Sequence, residues 1–206
     1  MRMRMIIGSA MIVALAACGG GDDAGVTTEE EKKAESVAPV EETKSGAEPS
    51  ADGVEVTLKD ELDGILNSYC LDIAGGNQNI DTSKGLQGHT CYSYKGELGT
   101  DQIFDLSKFA SNSLYMPVYD VCATASGLSA GASIGLAACE DGELQQFAFS
   151  GDGTISAVAA PELCLTLAEA SRFGRGSQHQ IKDLSLEACG DELAAYQEWR
   201  TRKTDD

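Results

Sequence analysis

The sequence predicts an all-β domain made of three copies of one unit, preceded by segments that do not belong to the fold. Two observations carry this expectation. From residue 65 onward the apolar runs are short and alternating: Ile65-Leu66, Cys70-Leu71-Asp72-Ile73, Ile103-Phe104-Asp105-Leu106, Tyr119-Asp120-Val121-Cys122, Phe147-Ala148-Phe149 and Leu163-Cys164-Leu165-Thr166-Leu167. Clusters of Gly, Asn, Asp and Ser separate them, which is the pattern of short strands in a barrel or sandwich. The second observation is a repeat. A pair of cysteines followed by Gln-x-aromatic occurs three times, with the triplets Gln102-Ile103-Phe104, Gln145-Gln146-Phe147 and Gln197-Glu198-Trp199. Repetition at this period marks one supersecondary unit that was copied and stacked. The first cysteines step by 52 and 42 residues and the triplets by 43 and 52, so the copies differ by loop insertions.

The chain opens with a targeting segment. Arg2 and Arg4 precede an apolar stretch from Met5 to Ala17 that is too short to span a bilayer. Its end, Leu15-Ala16-Ala17-Cys18 followed by Gly19, resembles the lipobox of bacterial lipoproteins. That resemblance implies a signal peptide over 1–17, acylation of Cys18 and a lipid anchor in the cell envelope. By resemblance to known sorting rules, Gly19 after the cysteine points to the outer membrane.

Residues 18–53 lose apolar periodicity altogether. Between residues 19 and 53 the chain carries 10 acidic and 3 basic residues. Such a segment buries too little apolar surface to offset its ordering entropy, and its charges repel one another. The expectation is an extended acidic tether. Residues 54–206 then form one globular domain, long enough for one core and too short for two ordinary ones. Within it, Gly151-Asp152-Gly153-Thr154-Ile155 reads as a tight turn entering a strand, and only residues 192–199 have helical character. Gly176-Ser177-Gln178-His179-Gln180 reads as an insertion in the third unit.

Composition narrows the function classes. The net charge of −18 over 206 residues argues against nucleic acid, which needs clustered Lys and Arg, and against an anionic membrane surface. The sequence contains no Gly-x-Ser-x-Gly elbow, His-Glu-x-x-His pair or phosphate loop, and it has only two histidines, so no enzyme is expected. No cofactor is indicated. No two cysteines have the spacing of a zinc knuckle, so no metal site is expected.

The Cys-Leu-Asp-Ile strand, the Gly-rich loop, the second cysteine and the Gln-x-aromatic triplet, three times over, resemble the ricin B-type lectin domain. The resemblance implies a β-trefoil of three lobes in which the triplet glutamine and aromatic face the core. Six cysteines alone allow fifteen pairings. The resemblance implies the set within lobes: Cys70–Cys91, Cys122–Cys139 and Cys164–Cys189.

The resemblance also implies a carbohydrate partner, galactose-type glycans among the candidates, bound by a monomer through five positions of a lobe. In the first lobe these are Asp72, Gln87, His89, Asp101 and Gln102. A carboxylate at 72 can accept bonds from adjacent sugar hydroxyls, and charge-assisted bonds are about twice as strong as neutral ones. Gln102 would orient Asp72 from behind, Gln87 and Asp101 would reach a flanking hydroxyl, and His89 would offer a ring to the apolar face of a pyranose. His89 replaces the usual Trp or Tyr and Asp101 the usual asparagine. Tyr92 and Tyr94 are substitute platforms. The second lobe has Thr124, Gly135, Ala137 and Leu144 at the corresponding places, and the third has Thr166, Ser185, Glu187 and Tyr196. Both are expected to be scaffold lobes. A trefoil that binds protein or serves as a scaffold at the cell surface is the alternative.

Overall fold

The computed structural model describes residues 52–65, 67–75, 80–91 and 97–203. The leader, Cys18, nearly all of the linker, Tyr92 and Tyr94 lie outside the described residues.

The short apolar runs form strands of two to six residues, with two longer exceptions in the third lobe. The first lobe holds β1 (Gly53–Leu58), β2 (Tyr69–Ile73), β3 (Leu86–Thr90) and β4 (Ile103–Asp105). The second holds β5 (Tyr115–Met116), β6 (Val121–Ala125), β7 (Ala132–Ala137) and β8 (Phe147–Ala148). The third holds β9 (Asp152–Thr154), β10 (Ser156–Ala157), β11 (Ala160–Phe173), β12 (Gln180–Ala188) and β13 (Glu198–Lys203). β1 pairs antiparallel with β13 from Val54 opposite Lys203 to Leu58 opposite Trp199, so the first and last strands of the domain pair with each other. Joining the two chain ends in one ladder removes an edge that would otherwise invite pairing with another chain. β1 also pairs with β4, β8 with β10, and β9 with β13. Each lobe adds a hairpin: β2 with β3, β6 with β7, and β11 with β12. These hairpins meet one another, because β12 pairs with both β7 and β3. This is the β-trefoil expected from the repeat.

The core follows the triplets. Phe104, Phe147 and Trp199 are each at most 1% exposed, and Gln102, Gln145 and Gln197 are buried beside them. Tyr69, Leu58, Leu71, Ile73, Ile103, Leu114, Met116 and Ile155 are fully buried as well. The three disulfides join Cys70 to Cys91, Cys122 to Cys139 and Cys164 to Cys189, one within each lobe. They span 21, 17 and 25 residues. By the chain-entropy account each contributes about 3 kcal/mol.

Two local expectations change. Helical character is not confined to residues 192–199: a short 3-10 turn precedes every triplet, at Glu97–Gln102, Glu143–Gln145 and Asp191–Leu193, the last continuing into α1 (Ala194–Gln197). Turns of three to six residues are too short to leave a periodic signal. The Gly151–Thr154 stretch is also more than a turn. Gly151 and Gly153 take φ of +94° and +108°, conformations that suit glycine, and the chain from Asp152 to Thr154 runs as β9 along β13 before β10 begins.

Candidate functional site

Strand period brings the first-lobe candidates onto one face. In the β2–β3 ladder Asp72 lies opposite Gln87 and Cys70 opposite His89, and alternate residues of a strand share a side. The Asp72 carboxylate is held by two amides: Gln87 Nε2 donates to Oδ1 at 2.9 Å, and Gln102 Nε2 donates to Oδ2 at 2.9 Å. Gln102, fully buried, therefore meets Asp72 on the oxygen that Gln87 does not use. Asp101 sits beside it on the turn and is 6% exposed.

The site is more enclosed than the sequence implies. Asp72 is 3% exposed and Gln87 5%. Gln87 does not reach outward: its amide nitrogen is on Asp72, and its oxygen lies 3.4 Å from Arg172 Nη2. His89 is half-buried, and its ring does not face only an open cleft. The His179 ring stands 5.5 Å away, tilted by 38°. Burial pushes the His89 pKa down, His179 adds to that, and the nearby Thr90 carbonyl opposes it. The neutral ring then places Nδ1–H to donate to Thr90 O, 2.9 Å away.

What encloses the site is the third lobe. Its hairpin is longer than the other two, 14 residues in β11 and 9 in β12, and the surplus crosses onto the first lobe. Ile181 pairs with His89 and Lys182 with Gly88. Gln180 N donates to Thr90 Oγ1 at 3.0 Å, and Tyr69 Oη stands 3.3 Å from Gln180 Oε1. The inner face of β12 reads Lys182, Leu184, Leu186, and Lys182 is fully buried. Its Nζ reaches Asp63 Oδ2 at 3.0 Å and Glu169 O at 2.6 Å, and it lies 5.4 Å above the Tyr69 ring. Tyr69 Oη donates to the same Asp63 oxygen at 2.5 Å. Burial raises the Asp63 pKa, but the Tyr69 hydroxyl and the Lys182 ammonium outweigh it and hold the group below its ordinary value. Arg172, Gln180 and Lys182 are absent from the sequence-derived set. The signal for them was the 25-residue cysteine spacing of the third lobe, against 21 and 17 in the others.

The two other lobes provide an internal control. In each, the triplet glutamine donates to the hydroxyl of a threonine two residues after the first cysteine: Gln145 to Thr124 at 2.9 Å and Gln197 to Thr166 at 2.8 Å. Each glutamine also donates to a carbonyl just before the second cysteine, Ala138 at 3.0 Å and Ala188 at 2.9 Å. Each accepts from a backbone N–H just after it, Glu140 and Gly190. The threonine hydroxyls turn back to the carbonyls of Cys122 and Cys164. A neutral hydroxyl thus meets the structural need at this position. The first lobe has a carboxyl group there instead.

The model of the ricin-type β-trefoil lectin domain matches residues 60–171 and again 110–206, two overlapping placements as an internal repeat requires. No curated protein matches the sequence. Among solved structures, a designed threefold-symmetric protein, ThreeFoil, is similar at 17% identity with a TM-score of 0.51, covering 74% of this chain and 99% of that one. The agglutinin from Abrus precatorius is similar at 19% identity and a TM-score of 0.52, covering 75% of this chain and 49% of that one. A non-toxic homologue of type II RIPs from Momordica charantia, solved with α-methyl-D-galactoside, is similar at 18% identity and a TM-score of 0.50, covering 73% and 48%. The chain spans about half the length of these two plant proteins. At such identities the likeness shows the fold alone.

Proposed function

The chain belongs to the ricin-type β-trefoil lectin domain family, and from that premise we propose that it is a carbohydrate-binding module whose sugar site lies in the first lobe around Asp72. One observation carries this reading. Thr124 and Thr166 satisfy Gln145 and Gln197 without charge, whereas Asp72 places a carboxyl group at 3% exposure in the equivalent position. Burying a carboxylate costs several kcal/mol, which the Gln87 and Gln102 amides must offset, whereas a threonine fills the same place in the other lobes without that cost, so a structural role alone gives no reason for the carboxylate. A carboxylate pre-oriented by two amides is suited to accept bonds from adjacent sugar hydroxyls once Gln87 turns aside.

The leader and acidic linker support a place for this module. Acylation of Cys18 would anchor it in the cell envelope, in the outer membrane by resemblance to sorting rules, and many tethered copies would add avidity to one weak site. A galactose-type glycan or polysaccharide is the partner class that the family resemblance favours.

The test is a glycan array with the purified, oxidised protein clustered for avidity, beside Asp72→Thr, the substitution that gives the first lobe the pattern of the other two. Binding that disappears in the variant supports the site. Binding that is indifferent to Asp72 sinks it. The enclosure of Asp72 favours a second reading, a trefoil surface for protein partners, and an array with no bound glycan would turn the search there.

A further inference from the structure

The surplus of the third-lobe hairpin walls a cleft that the five first-lobe positions do not describe. It has a volume of about 370 Å³ and draws residues from all three lobes: Ser83, Lys84 and Gln87 from the first, Ser133 from the second, Arg172 and Asp183 from the third. That volume lies at the lower end of the roughly 300–1,000 Å³ typical of small-ligand sites. Its charge runs against the rest of the chain. In a protein of net charge −18, two cations face one carboxylate here.

Arg172 has two faces in this cleft. Nη1 is 2.5 Å from Asp183 Oδ1, and Nη2 is 3.4 Å from the Gln87 oxygen. The pair with Asp183 is exposed on both sides, at 52% and 79% of the side chains, so it contributes little net stability and opens readily to a competing anion. Gln87 in turn donates to Asp72. A group bound by Arg172 is therefore one side chain removed from the first-lobe carboxylate.

We propose that this cleft binds the carboxylate-bearing pyranoside units of an acidic polysaccharide. The Arg172 guanidinium takes the sugar carboxylate in place of Asp183, in the planar two-bond geometry that suits arginine, with Lys84 adding charge. Ser83 and Ser133 serve the ring hydroxyls. The inference deepens the carbohydrate-binding reading and rests on it for the class of ligand, but it places specificity on residues outside the first-lobe set.

The experiment is ligand-observed NMR titration of the oxidised protein with a galacturonate trisaccharide, its neutral methyl ester and a neutral galactose trisaccharide. The acid is expected to bind about tenfold or more tightly than its ester, as a charge-assisted pair warrants, and to weaken as salt rises. Arg172→Gln, which keeps an amide beside Gln87 without the charge, should abolish that preference, and Asp183→Asn should strengthen it. Both positions are exposed, and an unchanged unfolding midpoint checks that the variants fold. Retention of acid preference in Arg172→Gln overturns the inference. So does a wild type that prefers the neutral sugars, and if Asp72→Thr then abolishes that binding the first-lobe site stands without the cleft. Acid binding lost in Arg172→Gln but kept in Asp72→Thr upholds the cleft and removes Asp72 from the site. A wild type that binds none of the three saccharides overturns the inference, and the glycan array then decides the broader reading separately.

Discussion

Replacing Lys182 with methionine should loosen the third-lobe hairpin from the first lobe, and the structure gives the size of the effect. Methionine keeps most of the aliphatic stem against Tyr69 and removes Nζ, which is bound to Asp63 at 3.0 Å and to the Glu169 carbonyl at 2.6 Å. Removing one partner of a fully buried ion pair costs about 3–5 kcal/mol. Asp63 is less isolated than that, since its side chain is 30% exposed and keeps the Tyr69 hydroxyl, so about 2 kcal/mol is the share of the carboxylate. The Glu169 carbonyl left without its donor adds about 1 kcal/mol. A loss near 3 kcal/mol corresponds to a fall in Tm of roughly 6–12 °C for a domain of this size. Thermal unfolding of the oxidised protein, followed by near-ultraviolet circular dichroism, reads it directly. Asp63→Asn in the Lys182→Met background should cost less than in the wild type, because the carboxylate has already lost its counter-ion. A midpoint within about 2 °C of the wild type would mean that the Lys182 contacts add nothing and that the hairpin is held by its strand pairing alone.

Two further outcomes test the same contact. The folded state holds the His89 pKa below its ordinary 6.5, so as pH falls the unfolded chain takes up the proton first. The His89 contribution is therefore present above about pH 6.5 and is lost as pH falls toward the folded-state pKa, and urea midpoints at pH 7.5 and 5.5 should differ more for the wild type than for His89→Gln. Gly88→Ala should destabilise by about 1–3 kcal/mol in urea unfolding, since a methyl group there would stand 2.5 Å from Leu167 Cδ2 and 3.0 Å from Cδ1 in a packed interior. Leu167→Val in the same chain should recover part of that loss.

The fold was legible because its signal is repeated. A single Gln-x-aromatic triplet says little, but three of them at comparable spacing from cysteine pairs require one unit used three times, and Phe104, Phe147 and Trp199 all enter the core. The link from Gln102 to Asp72 was legible for the same reason. The enclosure of the site was not. Gln87 and Arg172 are 85 residues apart and belong to different lobes, and a repeat period shows what each lobe contains without showing where the surplus of one lobe crosses its neighbour. Lys182 illustrates the difficulty. Strand alternation puts it on the inner face with Leu184 and Leu186, yet a lysine in a strand is ordinarily an exposed residue. Asp63 and Tyr69, brought near by the first lobe, together with the Glu169 carbonyl, account for its burial.

The choice between a structural and a binding role for Asp72 can be made on stability as well as on sugar. Asp72→Thr gives Gln102 the hydroxyl partner that Gln145 and Gln197 already have, and it lets that hydroxyl turn back to the Cys70 carbonyl as Thr124 and Thr166 do to theirs. Against this, Gln87 loses an acceptor at 5% exposure, worth about 1–3 kcal/mol, while the desolvation of a buried carboxyl group, of several kcal/mol before compensation, is relieved. The two nearly offset, so the variant should unfold within about 1 kcal/mol of the wild type, and adding Gln87→Ser, the residue of the third lobe, should close the remaining gap. Unchanged stability with lost saccharide binding would mean that the carboxylate is kept for a ligand. A loss above about 3 kcal/mol would mean that it is kept for the fold, with Asp72, Gln87 and Gln102 serving as a buried network that holds the first lobe against the third.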